Sequence, residues 1–540
     1  MRKLTKRERF ADKVLSRYQV YNSIFSTLPY ESITNTGVML PLFEKICIEG
    51  YKKNRNPSEI VEVFFKTYLN ESNDKERIDL LFHFIQYIER QVVLFDAIED
   101  AAFTEINNLE GRGSLRALKE EVESKNKIKE FKKYLSKFKI SPVLTAHPTQ
   151  FYPGSVLGII TDLTSAVKEN NLSEIKSLLS QLGKTPFFKN KKPSPFDEAV
   201  SLTWYLENVF YSSITNIYKY IKSNIFNGEV FDNDIINLGF WPGGDRDGNP
   251  FVTTEITINT ARKLRSDIIK NYYRDIRKLR RRLTFKNIEA IIIDLETRLY
   301  ESILDYNEDP KITLNELKKK LYRVREILIS EHKSLFLDQL DDVIIKVNIF
   351  GYHFATLDIR QDSRIHSKVF ERILEVAQQN KIINKPISYD KLTVEDKIKF
   401  LSTIKGDLNP DSFKDNLVNS TLSSIRAMKL IQRSNGEKGS NRYIISNNQS
   451  ALNIIELFTM FRLSNWSNPS VDIVPLFETI SDLKVAAKVM ESVYLNRTYR
   501  NHLKNREDKQ TIMLGFSDGT KDGGYLMANW RILRAKESLT

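Results

Sequence analysis

Residues 471–479 read VDIVPLFET, a short β-branched and apolar run that breaks off into Glu478 and Thr479. Five other stretches end the same way: SPVLTA (141–146) before His147, NLGFW (237–241) before Pro242, GYHFATLDI (351–359) before Arg360, RYIIS (442–446) before Asn447, and TIMLGF (511–516) before Ser517. Near-continuous apolar runs of this length suit strands covered on both faces. They lie roughly 30 to 110 residues apart, too far for hairpins and far enough for intervening helices. The expected fold is therefore predominantly α-helical α/β, a parallel sheet with helical crossovers. Chemistry at its C-terminal strand ends points to a TIM-type (β/α)8 barrel, incomplete at about six of eight strands and carrying many additional helices.

The sequence around these runs is helical. Between Asp79 and Phe103 apolar residues recur at the helical period, with Phe82, Val93 and Leu94 widening the stripe until an almost fully buried helix is expected. Residues 261–286 set Ile269, Tyr272, Tyr273, Ile276, Leu279 and Leu283 on one face and seven basic residues from Arg274 to Lys286 on the rest. A nucleic-acid surface and a solvated amphipathic face both fit this stretch; the second fits better, since the aromatics follow the apolar stripe. Residues 1–138 form an expected helical N-terminal region and 139–540 the barrel portion with helical insertions, together one truncated domain.

Composition narrows the classes. The 540 residues are 41% hydrophobic with 20 Gly and 16 Pro, which excludes a disordered or fibrous chain. Lys and Arg exceed Asp and Glu by 82 to 69, a mild +13 compatible with an anionic partner. Cys47 is the sole cysteine, so internal disulfides and cysteine-based zinc sites are excluded and a reducing, cytoplasmic setting fits. No secretory leader or membrane-spanning run is visible.

The strand-end clusters carry the chemistry. GFWPGGDRDGNPFVT (239–253) mimics a calcium loop at Asp245, Asp247 and Asn249, but Pro250 and Ile256 stand where that loop needs glycine and glutamate. What is left is a loop placing Arg246 between two carboxylates, either fixed for anion contact or bracing the loop. His147 taken alone reads as a structural histidine. Arg360 and Arg364 could form a phosphate clamp or pair with Asp358 and Asp362. Glu478 and Asp518 suit a hard divalent cation, and 517–524 reads as a flexible turn presenting Lys521 and backbone N–H groups to an anion, though Lys521 could instead neutralise Asp518 or Asp522. Jointly these groups suit a small, multiply anionic, phosphate-bearing substrate.

With VLTAHPTQ, GGDRDGNP, LDIRQDS, DIVPLFET and GFSDGTKDGG in this order, the sequence from about residue 10 to its end closely resembles phosphoenolpyruvate carboxylase. The resemblance implies carboxylation of phosphoenolpyruvate by bicarbonate to oxaloacetate and phosphate, with Mg²⁺ or Mn²⁺, in a cytoplasmic homotetramer inhibited by acidic metabolites, with no nucleic acid and no membrane involved. It implies His147 and Lys521 as catalytic, Glu478 and Asp518 as metal ligands, Arg360 as a phosphate contact, and Trp241, Leu476 and Met513 as an apolar pocket for CO₂; the residues themselves, and not the resemblance, add Arg246 as a further substrate-side guanidinium. Gln150 stands where the family has Glu, Pro242 follows the Trp, and SDGTKDGG differs from the usual SDSxKDAG. Family members continue well beyond the segment matching MANWRILRAKESLT, so this chain is expected to be an N-terminal fragment, inactive alone. A noncatalytic relative serving as a binding or regulatory subunit is the alternative.

Overall fold

The computed structural model describes residues 4–27, 36–145, 152, 154–187, 193–229, 235–247, 249–379 and 389–540. It divides into two units, Met1–Asn126 with His147–Lys192, and Lys127–Ala146 with Pro193–Thr540. The segment 147–192 thus groups with the N-terminal helices.

The first unit is helical throughout its described residues. Its axis is the helix Asp74–Ile106, opened by a capping box in which Asn73 accepts from the Glu76 N–H and the Glu76 carboxylate accepts from the Asn73 N–H. Val93, Leu94, Ala97, Ile98 and Ala101 pack with Val156, Ile159 and Leu163 of helix Gly154–Lys168 in one core. The expected near-complete burial does not hold: Ile85, Ile88 and Val92 are exposed. Cys47 is half-buried, and burial pushes its thiol pKa up, as an unreactive side chain requires.

The second unit holds the strands, in two parallel sheets where one was expected. All six runs form strands, and the third is split in two: β1 Val143–Leu144, β2 Gly239–Phe240, β3 Thr356–Leu357, β4 Ile359–Asp362, β5 Arg442–Ser446, β6 Asp472–Phe477 and β7 Met513–Leu514. They pair in parallel and in chain order, β1-β2-β3 and β4-β5-β6-β7. The split has a local cause. The loop after β2 returns to β4, where the Arg360 N–H donates to the Gly244 carbonyl at 3.1 Å and the Arg246 N–H to the Arg360 carbonyl at 2.9 Å. Gly244 passes so close that a Cβ there would lie 2.1 Å from the Asp358 carbonyl oxygen, which only glycine permits.

Side chains alternate across the sheet. Tyr443, Ile445, Ile473 and Phe477 pack into the core shared with the helices, whereas Ile444, Val474 and Leu476 turn to the opposite face and meet Trp241 and Met513. Helix Thr254–Arg280, capped by Thr253, buries Ile268, Ile269, Tyr272, Ile276 and Leu279. Tyr272 donates its hydroxyl to the Gly351 carbonyl, and Arg274, Lys278 and Arg280 lie against Glu207, Asp275 and Glu296. Tyr272 is therefore core, and these cations form a solvated ion-paired face. Among the described residues no helix is long and apolar enough to cross a membrane.

Candidate active site

The face carrying Ile444 and Leu476 is layered. At the N-terminal end of the strands, Arg442 donates from Nε to Asp358 Oδ1 at 2.8 Å, and Arg506 faces Asp472 at 3.6 Å, with Thr511 bonded to the same carboxylate. Above it lies the apolar layer of Ile444, Val474 and Leu476 with Trp241 and Met513. The three apolar residues read from the sequence are thus brought together, and Trp241 is oriented by its Nε1–H, which donates to Asp358 Oδ2 at 3.1 Å.

A second polar layer crowns the C-terminal ends. Arg360 contacts Asp245 at 3.2 Å, Asp247 at 2.8 Å and Glu478 at 3.5 Å, and its guanidinium lies 5.2 Å from the Trp241 ring centre. Glu478 is fixed on its other side by the Asn447 N–H, which donates to Oε2 at 2.6 Å. Burial raises the Glu478 pKa, as do the charges of Asp518 and Asp247; the Asn447 N–H and Arg360 oppose the shift. Asp245 is likewise raised, chiefly by burial.

Two sequence expectations change here, on Arg246 and on residues 517–524, and the open choice for Arg364 falls to pairing with Asp362. The acids flanking Arg246 do not hold it. They turn to Arg360, while Arg246 reaches the other way and donates to the Ser420 carbonyl at 2.9 Å and to the Ser420 hydroxyl, at the edge of a cavity of about 720 Å³. Arg364 does not join Arg360 in a clamp; it folds onto Asp362 at 2.6 Å. Residues 517–524 are not a turn but the start of helix Ser517–Leu539, whose helical geometry breaks at Gly524 (φ 80°). The glycines there serve approach: a Cβ on Gly523 would lie 2.6 Å from Ile480, and one on Gly515 would lie 3.1 Å from the Glu478 Cα. Lys521 pairs with Asp518 at 3.0 Å, exposed to solvent, and Asp522 instead accepts the Ile480 N–H at 2.9 Å.

His147 lies outside the described residues. Among the described residues no three His, Cys, Asp or Glu side chains converge to hold a metal ion. The donor chemistry at the crown nevertheless suits a hard cation, since three carboxylates share one guanidinium and Asp518 adds a fourth negative charge felt by Glu478. Sequence reasoning missed Asp245 and Asp247 as partners of Arg360 and missed the Asp358–Arg442 and Asp472–Arg506 pairs. Charges at alternate positions of otherwise apolar strands were the available signal.

Residues 84–311 and 305–540 match the profile of the phosphoenolpyruvate carboxylase family. The chain belongs to that family. Phosphoenolpyruvate carboxylases similar to it include that of Nitrosomonas eutropha, 27% identical over 74% of this chain and 49% of the relative. Those of Nitrosomonas europaea and Rhodothermus marinus are each 26% identical, over 93% and 75% of this chain and 61% and 50% of theirs. The chain therefore spans about half to three fifths of the length of these phosphoenolpyruvate carboxylases. The matched regions contain Arg360, Glu478, the apolar trio and the loop that clamps Arg360.

Proposed function

We propose that this chain carries the phosphoenolpyruvate and bicarbonate site of a carboxylase that forms oxaloacetate and phosphate, and that its sheet is the first arc of a (β/α)8 barrel. The observation that supports this best is the crown: Arg360 is held at its backbone by Gly244 and Arg246 and at its side chain by Asp245, Asp247 and Glu478, above an apolar layer that includes Trp241, Leu476 and Met513. A guanidinium fixed in this way binds a phosphoryl group without reorganising. The net negative charge around it requires a cation before a trianion can enter.

Glu478 and Asp518 would hold that cation, Mg²⁺ or Mn²⁺, which supplies charge neutralisation and polarises a substrate oxygen. Bicarbonate attacks the phosphorus, the bond from phosphorus to the enol oxygen breaks, and carboxyphosphate and the pyruvate enolate result. His147 accepts the carboxyphosphate proton as the C–O bond breaks to CO₂ and phosphate. Lys521 offers its ammonium to the enolate oxygen. The apolar layer retains CO₂ and excludes water until the enolate carbon attacks it. Tetrameric assembly and inhibition by acidic metabolites belong to the same proposal.

A second reading, binding without turnover, is favoured by one observation: Lys521 and Asp518 pair with each other in solvent instead of facing Arg360. Two measurements separate the readings. Phosphoenolpyruvate binding that requires Mn²⁺ and is lost in E478Q is expected on both; its absence removes both. Oxaloacetate formation from phosphoenolpyruvate and bicarbonate, followed by its reduction with malate dehydrogenase and NADH, is expected only for the carboxylase.

A further inference from the structure

We propose that a cavity of about 300 Å³ in the second unit, away from the Arg360 crown and sharing no residue with it, binds a small organic polyanion. Its walls include Arg262 and Arg265, three apart on helix Thr254–Arg280, and Arg433 in the last turn of helix Asn416–Asn435. Among the described residues Asp309 is the one carboxylate lining it, so three guanidiniums meet one acid.

The pairing of these arginines differs from that of Arg360, Arg364 and Arg442. Arg265 is 3% exposed, gives its Nη2 to the carbonyls of Tyr306 (3.0 Å) and Glu308 (2.6 Å), and has Asp309 no nearer than 4.0 Å. Burial depresses its pKa; the charge of Asp309 opposes that shift and the neighbouring charge of Arg262 adds to it. Asp309 thus offsets only part of the positive charge gathered here. Arg265 has a structural explanation as a brace for the 305–310 connection, and Arg433 suits the negative end of its helix. Neither explanation reaches Arg262, whose guanidinium makes one long contact, 3.4 Å to Asn259 Oδ1. An anion bound among the three supplies the missing partner.

The cavity also specifies the size and nature of the ligand. Planar guanidiniums recognise carboxylate and phosphate oxygens in bidentate fashion. The floor of Ile258, Ala261, Leu430 and Ile431 favours a carbon skeleton over a bare inorganic ion. The volume is at the small end of ligand sites, suited to a metabolite of a few carbons. The walls are held in place by Asn435, which donates from Nδ2 to the Ala261 carbonyl at 2.8 Å and ties the two helices together beside the arginines.

Calorimetric titration of the whole chain at low salt with citrate and, separately, with pyrophosphate tests the proposal and separates carboxylate from phosphate recognition. Saturable binding of one or both is expected. The double variant R262Q/R433Q, at positions outside the core, should weaken it by about tenfold or more. D309N should tighten it, and R360Q should leave it unchanged, which separates this site from the crown. Binding that weakens in R360Q but not in R262Q/R433Q would overturn the assignment, as would no saturable heat with either probe from a variant-free protein with an intact unfolding transition.

Discussion

Two polar layers lie on either side of the apolar layer of Ile444, Val474, Leu476, Trp241 and Met513, and they are built on opposite principles. The lower layer is balanced, with Arg442 on Asp358 and Arg506 beside Asp472, all four side chains largely buried. The upper layer is unbalanced, with Arg360 among Asp245, Asp247 and Glu478. Burial raises the pKa of both Asp358 and Asp472, yet each has its own cation, so the lower layer closes electrostatically within the chain. The upper layer has a charge deficit that solvent or a ligand must fill. A sheet interior can thus tolerate ions at both ends, and the end with the deficit is the one suited to binding.

The largest effect should come from breaking the balanced layer. R442L strands the Asp358 carboxylate, whose side chain is 2% exposed, and should cost about 3–5 kcal/mol in urea unfolding. Replacing both partners, as R442L with D358L, should recover most of that loss, since an apolar pair needs no counter-charge. A single variant as stable as the parent would break the comparison.

Glu456 sharpens the comparison from a third place, the helix layer, where a carboxylate is buried with a hydroxyl instead of a cation. The Ser367 hydroxyl donates to its Oε2 at 2.8 Å, and burial pushes its pKa up to about 7. Its folded pKa lies above the unfolded value, so the folded state binds the proton more tightly. Stability should therefore fall as pH rises from about 4.5 to about 7 and level off above that. E456Q should remove this dependence and raise stability at pH 8 by roughly 1–3 kcal/mol. Comparing variant and parent unfolding at pH 5 and pH 8 isolates the term; an equal difference at both pH values would show that Glu456 keeps its charge.

How much of this was legible in the sequence depends on the kind of contact. The strands were legible because β-branched runs ending in polar residues are a local signal. The meeting of Trp241, Leu476 and Met513 came through the family motifs and conforms to strand alternation. The break at Asp358 was not legible, since it arises when residues 244–246 return to pair with Arg360, a contact across more than a hundred residues. The partner of Asp245 and Asp247 was missed because adjacency in sequence was read as adjacency in space, whereas both acids reach Arg360, more than a hundred residues along the chain. The helix at Ser517 was missed because its glycines read as a turn, although they are there to let the helix lie against Ile480 and Glu478.

Removing the single cation of the unbalanced layer gives a smaller effect of a different kind. R360Q leaves Asp245, Asp247 and Glu478 facing one another, and at pH 7 this should cost about 1–2 kcal/mol. Because the missing component is charge, most of the loss should return with Mn²⁺, or on acidification, since Asp245 and Glu478 are shifted toward the protonated form by burial. The same additions should not rescue R442L, whose Asp358 lies below the apolar layer. Rescue of both variants, or of neither, would mean that the two layers do not differ in the way described.

The smallest effect on stability should come from Lys521. Its ammonium lies 3.0 Å from Asp518, but the two side chains are 78% and 51% exposed, and an ion pair in that much solvent stabilises a fold by well under about 1 kcal/mol. K521Q should therefore unfold within roughly 0.5 kcal/mol of the parent. If Lys521 acts only as a surface partner of Asp518, ligand binding should be equally unaffected. If it turns to the crown when substrate and metal are present, Mn²⁺-dependent phosphoenolpyruvate binding should weaken about tenfold while stability stays unchanged. The pairing with Asp518 would then be a resting position: a divalent ion bound by Asp518 would compete with the ammonium for that carboxylate and release Lys521 toward the anion.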